Sequence, residues 1–304
     1  MPDFAGPMLR RWELGNALRR IREDRHMTIA EVTTAMRERY GSSFSTTKLS
    51  RLETAKRGAI PRDIHDLCTL YGLPDHERAH LVELAVSTRE SDKLHPEDAP
   101  SGYRWYIELE RAAKTLQEYA SNLVPGLLQT VEYATAVEQL QHLVPDYYDS
   151  RIALSDVSEK TEERVQLRLS RQAVLTRADP LELHAILDES VLRRRIPEPG
   201  VMRRQLQRLL DASSKPNLNI QILPFEIGPY PGSECSYWSI LDFPESGQQL
   251  PRTVYTETAN GGQISERETD ITHFTSVFNV LTRMALSPEQ SRNLIKQNIS
   301  QLPN

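Results

Sequence analysis

Residues 28–57, TIAEVTTAMRERYGSSFSTTKLSRLETAKR, read as two helices joined by a polar turn. Thr28 can cap the first, with Glu31 three residues on as its capping-box partner, and Ile29, Val32, Ala35 and Met36 form its apolar stripe. Gly41-Ser42-Ser43 breaks the pattern, and Ser45 or Thr46 caps a short second helix. There Leu49 and Leu52, three apart, face a core, while Thr46, Thr47, Ser50 and Arg51 project the other way. The capped end offers backbone N–H groups and hydroxyls to a phosphate while the next side chains reach base edges. Such a helix suits the major groove of double-stranded DNA.

The flanks extend this pair into a bundle. Upstream, Leu14, Leu18 and Ile21 recur at helical spacing from Leu9 onward, among Arg10, Arg11, Arg19, Arg20 and Arg22. Downstream, Pro61 opens a helix with Ile64, Leu67, Cys68 and Tyr71, and Asp75–Ser87 carries Leu81, Leu84 and Ala85. Five helices make residues 1–90 a mainly α bundle.

LGNALRRIREDRHMTIAEV (14–32) and STTKLSRLETAKRG (45–58) resemble the Xre/Cro/CI-type helix-turn-helix regulators. The resemblance implies that Arg22 pairs with Glu53 to brace the recognition helix. It places Thr46, Thr47 and Arg51 at the bases and Lys48, Lys56 and Arg57 at the phosphates, and the helix face and its capped end add Ser50 to the first set and Ser45 to the second. Ile29 stands where the family usually has a phosphate-contacting glutamine, so that contact is not carried over. The connection from Met36 to Ser45 is also longer than the family's tight turn. Either the first helix of the pair continues through Arg39 and Tyr40, or the turn bulges and brings Arg37 and Arg39 to the phosphate backbone.

Charge supports a polyanionic partner for the head alone. Of 37 Lys+Arg and 42 Asp+Glu, residues 1–62 hold 13 and 7, net +6, and the remaining 24 and 35 give net −11. Cys68 and Cys235 are far apart and form no Cys-x-x-Cys pair, so neither a disulfide framework nor a zinc finger is expected. No stretch reaches the ~18 consecutive apolar residues of a membrane span, and residues 1–10 hold no apolar run of signal-peptide length, so no signal peptide is expected. A cytoplasmic, nucleoid-associated protein is expected.

His76-Glu77-Arg78-Ala79-His80 spells H-E-x-x-H, in which two histidines one turn apart can ligate zinc beside a glutamate base. A catalytic zinc also needs a third ligand and a cleft. This motif instead opens a short helix whose apolar face is Leu81 and Leu84, and the other histidines lack ligand spacing. A zinc hydrolase is therefore the remote reading, and a solvated helix start the preferred one.

Residues 91–102 read as a linker, with Pro96, Pro100 and Gly102, unless Tyr103, Trp105 and Tyr106 pack it down. The body, 103–304, alternates elements. An extended segment near Leu116 and Tyr119 precedes a helix over 130–142 and a long charged helix over 156–178. A strand (181–190), a helix (200–212) and a strand (217–225) favour a parallel pair. With strands at 236–243 and 252–258, the last three favour an antiparallel meander. Helices over 265–285 and 288–299 close an α+β domain with a mixed sheet.

VPGLLQTVEYA, ILDESVLRRRI, VMRRQLQRLL and NLNIQILPF resemble the C-terminal domain of unknown function behind Xre-type heads in many actinobacterial regulators. The resemblance implies an antitoxin-like protein with a small protein partner encoded nearby. The body shows no glycine-rich phosphate loop or nucleophile elbow. Asp188 and Glu189 end a strand as a pair expected in solvent, and Cys235 reads as an unreactive thiol. Trp238, Tyr237 and Phe243 read as core.

The expectation is a DNA-binding transcriptional regulator that is no enzyme and uses no metal or cofactor. One recognition helix discriminates only ~1–3 kcal/mol per base pair, so a homodimer on a palindrome is expected. The body then binds an effector or protein partner. In the alternative, the protein mainly binds its small partner and autoregulates its operon.

Overall fold

The computed structural model describes residues 7–41, 44–55, 58–88, 101–141, 154–196, 198, 200–244, 250–258 and 261–302. The chain divides into two compact units, Met1–Ala112 and Ala113–Asn304.

The first unit is helical: α1 (Pro7–Asp24), α2 (Ile29–Tyr40), α3 (Thr46–Glu53), α4 (Pro61–Leu70), α5 (Asp75–Ser87) and α6 (Ser101–Ala112). Leu14 and Leu18 of α1, Val32 and Met36 of α2, Leu49 and Leu52 of α3, and Ile64 and Leu67 of α4 share one core with Phe44 and Cys68. Each buried leucine contributes about 1.5–3 kcal/mol, so the apolar spacing seen in the sequence is what closes the bundle. Burial pushes the Cys68 thiol up to about 11, which keeps it un-ionised near neutral pH.

α6 was not anticipated. Its first residues, Ser101 and Gly102, fall in the expected linker, and the rest of that linker lies outside the described residues. The helix packs on α1, where the Trp12 and Trp105 rings meet edge to face at 6.1 Å. By its packing α6 lies in the first compact unit.

The second unit is built on a mixed sheet of β1 (Thr115–Ala120), β2 (Glu182–Asp188), β3 (Leu218–Leu223), β4 (Tyr237–Asp242), β5 (Thr253–Thr258) and β6 (Gly261–Ser265). The strand order is β3-β2-β1-β4-β5-β6. β1, β2 and β3 run parallel, and β4, β5 and β6 extend the sheet antiparallel. Between β1 and β2 lie α7 (Val131–Gln141) and α8 (Leu154–Arg171), and between β2 and β3 lie α9 (Ser190–Arg193) and α10 (Val201–Ala212). The chain closes with α11 (Glu268–Met284) and α12 (Pro288–Ser300). Phe278 and Leu281 of α11 join Tyr119, Ile186, Trp238 and Ile240 in a core on one sheet face.

Two expectations for this unit change. The meander is β4-β5-β6, and β3 does not pair with β4. The outer edge of β3 is capped by the turn into α12, with Leu286 N donating to Ile222 O at 2.9 Å and Ile222 N to Ser291 Oγ at 2.9 Å. β4 therefore pairs on the far side of β1. The helix expected from Ser265 begins at Glu268, because residues 261–265 form β6. Gly261 and Gly262 hide that strand from any side-chain pattern, and the Tyr255 ring occupies the space where Gly262 has no side chain.

Asp188 and Glu189, expected in solvent, are 9% and 2% exposed. Asp188 accepts from the Ser190 N–H at 2.8 Å and from the Tyr230 hydroxyl. Glu189 accepts from Arg193 at 2.6 Å and from the Phe225 N–H at 2.9 Å. Burial is tolerated because each carboxylate is hydrogen-bonded on both oxygens, and these contacts tie the ends of the parallel strands together.

Candidate nucleic-acid interface

The interface is assembled from α2 and α3 and held by α1. Thr28 caps α2: its hydroxyl accepts from Glu31 N at 3.2 Å, and the Glu31 carboxylate accepts from Thr28 N at 2.7 Å. The Thr28 N–H holds the Glu31 carboxyl below its usual range. α2 continues through Arg39 and Tyr40 and ends at Gly41, whose φ of 60° is left-handed and whose N–H reaches Arg37 O at 3.0 Å. The first half of the long connection, residues 37–40, is thus helix. Arg37 and Arg39 stand exposed on its last turn, with Arg39 beside the Tyr40 ring at 5.8 Å.

Ser45 caps α3 by accepting from Lys48 N at 3.1 Å. Leu49 and Leu52 turn inward, Ser45, Thr46, Thr47 and Arg51 are exposed, and Ser50 is half-buried. Hydroxyls and a guanidinium therefore crowd the outer face of an eight-residue helix whose inner face is in the core. Lys56 and Arg57 lie outside the described residues.

Lys48, expected at a phosphate, has an ion-pair partner within the fold. Its ammonium sits 2.6 Å from Asp63 Oδ2 on α4, with both side chains nearly buried, and 4.7 Å from the centre of the Phe44 ring. This ion pair links α3 to α4.

Two further contacts fix α3 to α1. The Arg22 guanidinium binds the Glu53 carboxylate with two hydrogen bonds, Nε to Oε1 at 2.7 Å and Nη2 to Oε2 at 2.9 Å, and donates through Nη1 to Met27 O at 2.9 Å. The bond to Glu53 raises the Arg22 pKa, and the pair is 11% and 3% exposed. Gly15 lets the α3 backbone approach α1: a Cβ there would lie 2.6 Å from Leu52 O and 3.0 Å from Glu53 O. Gly15, Phe44 and Asp63 escaped the sequence reading. A glycine inside an otherwise helical pattern was the one available signal, since it commonly marks close packing.

His76, Glu77 and His80 are all well exposed, at 82%, 52% and 62% of their side chains. Among the described residues no group of three or more His, Cys, Asp or Glu could hold a metal ion. Nor is any described helix long and apolar enough to cross a membrane.

Residues 13–81 match the helix-turn-helix domain, so the described recognition-helix residues fall inside a matched domain. No curated protein and no solved structure matches the chain significantly. Residues 103–297, more than half of the chain, match the domain of unknown function DUF5753, and the protein belongs to that family, with a helix-turn-helix domain ahead of it.

Proposed function

We propose that this protein is a sequence-specific, Xre-type transcriptional regulator that binds operator DNA as a homodimer and whose body binds an effector or partner protein. The observation that carries the reading is the recognition helix itself. α3 is capped by Ser45, exposes Thr46, Thr47 and Arg51, and is held rigidly by Arg22. Base reading requires that rigidity, since a bidentate contact is lost when a side chain is displaced by a fraction of an ångström. Dimerisation follows from the small number of base pairs one short helix can read. The protein acts by binding and not by catalysis, in the cytoplasm and on the nucleoid.

The test is to sequence the DNA fragments that the purified protein retains from a random pool. The reading expects an enriched palindromic motif, and a pool without enrichment at low salt rejects it. The antitoxin-like alternative, with a small protein partner encoded nearby, is tested by co-purifying that gene's product with this chain. A stable complex that does not alter DNA retention would favour it.

A further inference from the structure

On the sheet face that carries α11, a cavity of about 510 Å³ opens over the N-terminal ends of β1, β2 and β3. Its floor includes a cross-strand row, Gln117, His184 and Asn219, paired in register. What that lining has left to offer can be worked out donor by donor.

Gln221 donates through Nε2 to Leu286 O at 2.9 Å and Thr282 O at 3.4 Å, which fixes its Oε1 as an acceptor. That oxygen lies 2.7 Å from His184 Nε2, so Nε2 carries the proton and Nδ1 is left as an acceptor. Burial lowers the His184 pKa, which favours this neutral form. Asn217 spends its Nδ2 on Leu181 O at 2.9 Å and Leu175 O at 3.2 Å, leaving its Oδ1 as an acceptor. Asn219 Oδ1 is buried and has no hydrogen-bond partner among the described residues. At the rim stand the exposed carboxylates of Asp179 and Glu182, and no Lys or Arg lines the cavity. Gln117, whose Oε1 accepts from Arg252 at 3.3 Å, still has a donor.

The donors of His184 and Asn217 are spent within the fold, Asn219 Oδ1 has no partner among the described residues, and two exposed carboxylates stand at the opening. We infer that this cavity binds a donor-rich organic cation, a protonated amine or a guanidinium, borne by a small molecule or by a basic side chain. The ligand's N–H groups then meet acceptors that include the unsatisfied Asn219 Oδ1, and its charge is matched by Asp179 and Glu182.

This deepens the effector reading of the body and needs no DNA, so it stands or falls separately from operator binding. The test is calorimetric titration of the full chain with agmatine, with a blocked Gly-Arg-Gly peptide, and with 1,4-butanediol and succinate as neutral and anionic controls. Agmatine is expected to bind saturably at one site, and the D179N/E182Q variant to weaken it roughly 10-fold with its thermal midpoint unchanged, both positions being exposed. Binding of the peptide alone, weakened by the same variant, supports the same chemistry carried by a protein chain. The inference is overturned if neither cation binds, if butanediol or succinate binds as well as the cations, or if the double variant leaves their binding unchanged.

Discussion

A methyl group on Gly15 would lie 2.6 Å from the backbone carbonyl oxygen of Leu52, closer than real Cβ contacts come. α1 and the end of α3 therefore touch backbone to side-chain-free backbone, and the depth of that contact sets where the recognition helix stands. Replacing Gly15 by alanine gains up to ~1 kcal/mol of helix propensity but forces the helices apart, at about 1–3 kcal/mol. Gly15→Ala is expected to lower the thermal midpoint of the helical unit and to weaken operator binding. An unchanged midpoint would show that the helices separate freely.

The Arg22–Glu53 pair is buried, so removing one partner strands a charge. Glu53→Gln is expected to destabilise the helical unit by about 3–5 kcal/mol, since the Arg22 guanidinium keeps its charge and loses its carboxylate. Hydrogen exchange should then quicken first at the amides of α3. Protection equal to that of the parent protein would remove the brace from the account.

The three cations on or beside α3 should separate in DNA titrations at two salt concentrations. Arg51→Ala is expected to cost about 1–3 kcal/mol on the specific operator and to relax base preference at one position. Arg37→Ala should weaken binding to all duplexes and flatten the slope of log K against log salt by ~0.9. Lys48→Ala should leave that slope alone and act through stability, because its ammonium belongs to Asp63. A flattened slope for Lys48→Ala would return it to the phosphate backbone.

Burial lowers the His184 pKa, and its link to Gln221 only partly opposes this. Below the unfolded value of ~6.5 the unfolded chain takes up a proton that the folded chain refuses, so stability falls as pH drops from there toward the folded value. Above ~6.5 the group is neutral in both states and contributes no pH dependence. His184→Gln should flatten this part of the acid limb, seen as a smaller difference between urea midpoints at pH 7.5 and 5.5. An equal difference in both proteins would exclude His184 as its source.

The helical unit was largely legible in the residues. Thr28 with Glu31, Ser45 before Thr46, Gly41 after Tyr40 and Pro61 opening α4 each act within one helical turn, and the leucine spacing names the buried faces. The exposed set on α3 followed from the same period. In the body, the strand-helix-strand alternation revealed β2, α10 and β3, whereas β6 was invisible because two of its five residues have no side chain to form a pattern.

Sequence by itself thus determined most helices and their caps, most strands and the segregation of charge, all of which depend on residues within a few positions of one another. Tertiary structure alone decided that Lys48 belongs to Asp63, that α6 joins the helical unit, that β4 crosses to the far side of β1, and that the donors around His184 are spent. Those outcomes depend on which distant groups meet when elements dock. Periodicity says which face of an element is buried, and it carries no information about what that face is buried against.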